Sequence, residues 1–350
     1  MTVRADNLGS FLRPQALLDG AARGDGELRA RQDRAILDVI ALQEAVGLPI
    51  VTDGEFRRKH FFSTLDGVVD GIDPEGYVRH HRDREGRPLE VRTPTPVRRL
   101  QRIGWLADRE LDFVRDHTTL PVKVTMPAPS LLAIYWSPDL SAAAYPTREA
   151  YRDHLVELMH EDAVELARRG VAQIQLDAPQ YAYLQEVMAD VGDRDAKLRE
   201  LVEADNGVLA GLHGVTRALH ICRGNMRSRF TGTEPYDGFA HAVLPHADYD
   251  RILLEYDDER SGGFAPLRHL REDALAVLGL ITTKRADMES AEEVRARIED
   301  AARHVPLERL ALSTQCGFAS NALGNEITPE AQREKLELVV ALAREVWGTT

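Results

Sequence analysis

The chain has 350 residues, 43% of them hydrophobic, with 44 Lys and Arg against 57 Asp and Glu and a formal charge of −13. The hydrophobic share supports a sizeable core, whereas an acidic balance with no long basic run argues against nucleic-acid or anionic-membrane partners. No stretch approaches the roughly 20 apolar residues of a spanning helix, and the N-terminus MTVRADNLGS has no apolar signal core, so a cytoplasmic protein is expected.

The first candidate strand is the weak DNLGSFLRP (6–14), ahead of the first helical stretch. An apolar run in GLPIVTDGEFRR (47–58) ends at Asp53. Further runs follow in LPVKVTMPAPS (120–130), VAQIQLDAPQ (171–180), ALHICRGN (218–225), RILLEYDDE (251–259), LAVLGLITTK (275–284) and LERLALSTQCG (307–317). They are continuous rather than alternating, as in strands buried on both faces. Between them, the amphipathic stretch 146–170 stops at Gly170, Ser290 and Glu293 form a capping box, and Thr328-Pro329 opens the last helix. Residues 59–118 and 181–217 exceed ordinary connections and read as elaborated loops after strands 2 and 4. Eight strand–helix repeats predict an α/β fold, a (β/α)8 TIM barrel, as one catalytic domain over residues 1–350. An open doubly wound sheet is the alternative, although no Gly-rich phosphate loop follows the first strand.

Such a barrel carries its site at the C-terminal ends of its strands. The polar residues there are Ser10, Asp53, Glu55, Asp177, His220, Cys222, Glu255, Lys284 and Cys316. Strand alternation puts His220 and Cys222 on one face. With Glu255 and Cys316 from other strand ends they offer N, S, O and S donors, a set suited to zinc. Taken singly, each has a plainer reading. His-x-Cys can be the polar end of a buried strand, the two cysteines can be buried thiols, Asp177 can cap a helix, and Asp53-Gly54-Glu55 can form a turn. A disulfide is not expected in a reducing compartment.

Together, HICRGN, LLEYDDERSGGFAPLRHL, LGLITTK, LALSTQCGFAS and VTDGEFRR resemble the cobalamin-independent methionine synthase family, and more closely its short single-barrel members. The resemblance runs from LGSFLRP to ELVVALAREVWG. It implies zinc held by His220, Cys222, Glu255 and Cys316, and methyl transfer to the sulfur of homocysteine. It also implies Ser10 on the substrate carboxylate and Glu55 and Asp177 on its ammonium. Glu255 would be the ligand that yields to the incoming sulfur. After the seventh strand, where the family places a proton-donor histidine, this chain has Lys284, the other candidate catalytic residue. The segment MPAPSLLAIYWSP, after the third strand, does not clearly match the family's pterin-binding segment and leaves Tyr135 and Trp136 as candidate flat surfaces. The methyl donor is therefore expected to be of the methyltetrahydrofolate type or of the methylcobalamin type, the latter as a free corrinoid or on a corrinoid protein. A second reading is a related zinc thiol alkyltransferase such as an epoxide:coenzyme M transferase, with Arg57, Arg58 and Arg223 available to grip a sulfonate. A third is a non-catalytic protein with a closed structural zinc or none. The oligomeric state is not fixed by the sequence.

Overall fold

In the computed structural model the continuous apolar runs form one parallel sheet, ordered β1-β9-β8-β7-β6-β5-β4. The residues described are all but 1–2, 24–25, 83–87, 185–191, 226–227, 229–231, 233 and 322–323. The strands are β1 (Ala5–Asp6), β4 (Lys123–Pro127), β5 (Gln173–Asp177), β6 (Thr216–Ile221), β7 (Arg251–Glu255), β8 (Leu275–Ile281) and β9 (Leu310–Thr314). β4, β5, β7 and β9 are buried at every residue, which is why their sequences do not alternate.

The eighth position of the barrel is filled by residues 50–53, where only Val51 pairs, as a parallel bridge to Val122. The sequence predicts a strand within 47–58 that ends at Asp53. The ladder fails because the side chain of Gln43 takes the place of a strand partner: it donates to Thr52 O and accepts from Thr52 N, both at 2.9 Å. The Thr52 hydroxyl then donates to Gly9 O at 2.6 Å, tying this segment to the run after β1. β1 is likewise two residues long rather than the 6–14 expected from the sequence.

The helices packed around the sheet are α1 (Gln15–Arg23), α2 (Leu28–Val46), α3 (Arg148–Arg168), α4 (Arg194–Leu209), α5 (Ala291–Ala301) and α6 (Pro329–Trp347). Thr147, Ser290 and Thr328 accept from the backbone N–H three residues on and so cap α3, α5 and α6. The expected loop after β5 thus contains the barrel helix α4. No helix among the described residues is long and apolar enough to cross a membrane.

The expected loop 59–118 is largely a two-stranded antiparallel arm, β2 (Val69–Arg82) paired with β3 (Pro88–Arg102). Register shifts at Asp70/Ile72 and Asp73/Tyr77 interrupt it. Pro94 and Pro96 hide this strand from a sequence reading, yet a strand with one neighbour tolerates them.

Inside the barrel the side chains stack in layers. At the base, Lys123 donates to Asp6 Oδ1 at 2.8 Å and to Gln175 Oε1 at 3.1 Å, and Arg251 reaches Asp6 Oδ2 at 3.0 Å. Above lies a small apolar cluster of Leu8, Ala218, Leu253, Val277 and Ala311. One alternation further along β6 and β7 come His220 and Glu255. The apolar layer therefore separates a buried ion cluster from the polar end of the barrel.

Candidate active site

His220 is the fifth residue of β6, Cys222 follows that strand, Glu255 ends β7, and Cys316 lies two residues beyond β9. The curvature of the sheet brings one donor atom from each to within 4.8 Å of all the others. Cys222 Sγ and Cys316 Sγ are 3.8 Å apart, and His220 Nε2 is 3.4 Å from Glu255 Oε1. The edge of a tetrahedron is about 3.8 Å around an ion with ligands at about 2.3 Å, and about 3.3 Å with ligands at about 2.05 Å, the zinc–sulfur and zinc–nitrogen or oxygen distances. The observed pairs match those edges. His220 Nε2 and Glu255 Oε1 are also buried without a hydrogen bond, which a shared cation would remedy.

The surroundings hold these donors in place. Asp177 Oδ1 lies 2.9 Å from His220 Nδ1 and accepts from Gln175 Nε2 at 2.8 Å. This leaves Nε2 of the imidazole facing the cluster. Gly224 N donates to Cys222 Sγ at 3.2 Å. The Tyr236 hydroxyl donates to Ile221 O at 3.0 Å and accepts from Glu255 N at 2.7 Å, binding the ends of β6 and β7 together. Between Glu255 and Ser313 in register sits Gly279 of β8. A Cβ there would lie 2.9 Å from Gln315 Cα and 3.0 Å from Leu254 O and Thr314 O.

Neighbouring charges and burial set how His220, Cys222 and Glu255 titrate. Burial opposes protonation of His220, but its contacts with Asp177 and Glu255 prevail and push its pKa up to about 10. The thiol of Cys222 is pushed up by its contact with Cys316 and by burial. Burial would raise Glu255, yet the His220 contact and the charge of Lys284 hold it below the ordinary carboxylate value.

The cluster opens into a cavity of about 400 Å³. Ser10, Glu55 and Asp177 line it together with His220, Cys222 and Cys316, so the structure gathers the substrate-binding candidates beside the donor set. Glu55 sits in the turn that the plainer reading predicted. Its N–H donates to Asp53 Oδ1 at 2.8 Å, and Gly54 and Glu55 have φ of 70° and 60°. That strained backbone aims the carboxylate inward. Oε1 accepts from Thr125 at 2.6 Å, and Oε2 is buried without a hydrogen bond. Ser10 approaches Gly317 so closely that a Cβ there would lie 2.0 Å from the Ser10 hydroxyl.

Other candidates sit elsewhere. Lys284 is not among the lining residues; its ammonium is paired with Asp257 at 3.0 Å. Tyr135 lines the cavity, whereas Trp136 donates its indole N–H to Tyr145 O at 3.0 Å. The three arginines are committed. Arg57 pairs with Asp33, Arg58 with Glu110 and Thr125, and Arg223 with Ser261 and the carbonyls of Glu234 and Arg260. None of them lines the cavity.

Besides Tyr135, the cavity has aromatic lining residues that the sequence reading does not single out. They are His60, Phe61, Phe62 and Tyr183. The His60 and Phe62 rings stack at 5.0 Å, and Phe62 lies 5.6 Å from Tyr135. The available signal was the aromatic pair that follows the Asp53-Gly54 turn.

The family described as "Cobalamin-independent synthase, Catalytic domain" matches residues 15–345. The "Uncharacterized protein YxjH" of Bacillus subtilis is 33% identical over 98% of this chain and 94% of its own length. The 5-methyltetrahydropteroyltriglutamate–homocysteine methyltransferase of Mycolicibacterium paratuberculosis is 24% identical over 95% of this chain, which spans 41% of that longer protein. The crystal structure of a putative vitamin-B12 independent methionine synthase from Listeria monocytogenes is similar with a TM-score of 0.73 and 25% identity, covering 99% of this chain and 100% of that one.

Proposed function

Since the chain belongs to the family of cobalamin-independent synthase catalytic domains, we propose that it transfers a methyl group to the thiol of homocysteine at a zinc ion held by His220, Cys222, Glu255 and Cys316. The observation that carries this reading is the meeting of two thiols 3.8 Å apart with the buried His220 Nε2 and Glu255 Oε1, neither of them hydrogen-bonded, beside a substrate-sized cavity that His220, Cys222 and Cys316 line. When bound, zinc supplies a Lewis acid that keeps an acceptor sulfur as thiolate at neutral pH.

The protein's own residues bind and orient. Glu55 Oε2 receives the substrate ammonium, with Asp177 beside it, and Ser10 meets the carboxylate. Their contribution is proximity: a fixed amino-acid backbone leaves the side-chain sulfur reaching toward Cys222 and Cys316. Asp177 also holds the His220 ring, so one carboxylate serves both substrate and ligand. The aromatic wall excludes water around the methyl donor.

The cobalamin-independent designation gives no support to a corrinoid donor, leaving the methyltetrahydrofolate type. The coenzyme M reading needs a cation in the cavity, and Arg57, Arg58 and Arg223 all have partners elsewhere. Zinc K-edge absorption tests the proposal. The resting protein is expected to show about two sulfurs near 2.3 Å, and a third on adding homocysteine. Absence of zinc, or a spectrum unchanged by homocysteine, would refute it.

A further inference from the structure

Displacing a methyl group from an amine nitrogen leaves that nitrogen needing a proton as the carbon–nitrogen bond breaks. An imidazole within the cavity is the side chain best matched to deliver it near neutral pH. Lys284 does not stand there, since its ammonium faces Asp257. Among the described residues two imidazoles line the cavity, and His220 is engaged by Asp177 and directed at the donor cluster. The other is His60.

Three features suit His60 to this task. It is exposed yet lines the cavity, so it lies where solvent can reprotonate it. It is pinned across the mouth: His60 bridges Asn321, and Phe61 N donates to Ser320 O at 2.9 Å, joining its loop to the segment that follows Cys316. Its ring lies nearly parallel to Phe62, with an 11° angle between planes. Face stacking covers the ring but leaves both nitrogens at its edge. At a centroid distance of 5.0 Å the stack is offset, and a flat heterocycle lying beside His60 on the part of the Phe62 face left open would meet that edge.

We propose that His60 is the catalytic acid that protonates the departing nitrogen of an N-methyl heterocycle, an inference that rests on the methyltransferase reading. The acceptor thiolate forms the new sulfur–carbon bond. The carbon–nitrogen electron pair stays on nitrogen, which takes the His60 proton. Solvent returns a proton to His60, balancing the one the acceptor thiol released on binding. Burial, Arg13 and Lys59 lower the His60 pKa while Asp66 opposes them. Phe62, Asn321 and Ser320 around it carry no charge. Since the protonated form acts, turnover should fall as pH rises through a value below that of ordinary histidine.

The test compares 5-methyltetrahydropteroyltriglutamate with S-methylmethionine, a sulfonium whose leaving group departs neutral and needs no proton. Zinc content and melting temperature serve as checks of the fold, and His60→Asn is a second variant beside His60→Gln. In His60→Gln, turnover with the folate relative to the sulfonium should fall about 100-fold or more, and the alkaline decline should vanish. An unchanged ratio and pH profile in both variants would overturn the inference. So would methylation by the unsubstituted protein from the sulfonium alone. Failure of every donor to methylate homocysteine would instead remove the methyltransferase reading, and the inference with it.

Discussion

Asp177 Oδ1 stands 2.9 Å from His220 Nδ1, across neighbouring strands whose register pairs these same two residues. The contact fixes the face the imidazole turns to the donor cluster. Asp177→Asn keeps an acceptor but removes the charge. Zinc affinity should fall about 10- to 100-fold with the circular dichroism spectrum unchanged. Competition with a chromophoric chelator measures it.

Tyr236 supports the same cluster through backbone alone. Its hydroxyl is the partner of both Ile221 O and Glu255 N, and the ring is fully buried. Tyr236→Phe leaves two buried backbone groups unpaired. A loss of about 1–3 kcal/mol in unfolding free energy is expected, read by urea denaturation. Zinc binding should weaken as well, because both ligand-bearing strand ends are released.

Gly279 is required by close approach rather than by φ. Any Cβ would press on the backbone beside Glu255 and on the turn that carries Cys316. Gly279→Ala should destabilise the fold by about 1–3 kcal/mol. If the strands instead relax freely, its melting temperature will equal that of the unsubstituted protein.

Burial pushes Glu55 up to about 7, against the Arg58 guanidinium and with help from Asp177 and Asp53. A carboxyl so raised is neutral below that pH and charged above it. Binding of an ammonium by Glu55 should therefore weaken as pH falls through about 7. Methionine, which has no thiol to titrate, should bind about tenfold more weakly at pH 6 than at pH 8. Glu55→Gln should flatten that dependence, and calorimetry at the two pH values decides.

The buried strands from β4 to β9 could be read from the sequence because their apolar runs are continuous and end in polar residues. The donor set could be read for the same reason: His220, Cys222, Glu255 and Cys316 all sit at or just past such ends. The segment around Val51 misled because its partner is a side chain, Gln43, far outside any local pattern. The arm β2–β3 misled because its strands pair only with each other and carry prolines. Asp177 was found, but its hold on His220 depends on the register of β5 and β6, which no single run reveals. His60 was overlooked because it reaches the cavity from a loop, through a bridge to Asn321 that only the closed barrel creates.

The substitution of Gln43 for a strand partner at Thr52 has a consequence for how the loop that follows is held. A strand paired on both sides fixes the register at which its following loop departs. The loop bearing Glu55 and His60 leaves from a seam instead, tied at its start by one bridge and the Gln43 and Thr52 side chains, and at His60 and Phe61 to the segment that follows Cys316. Its course therefore answers to the segment that carries Cys316 rather than to a ladder at residues 50–53, so the wall that would meet a donor and one end of the thiol pair are set together.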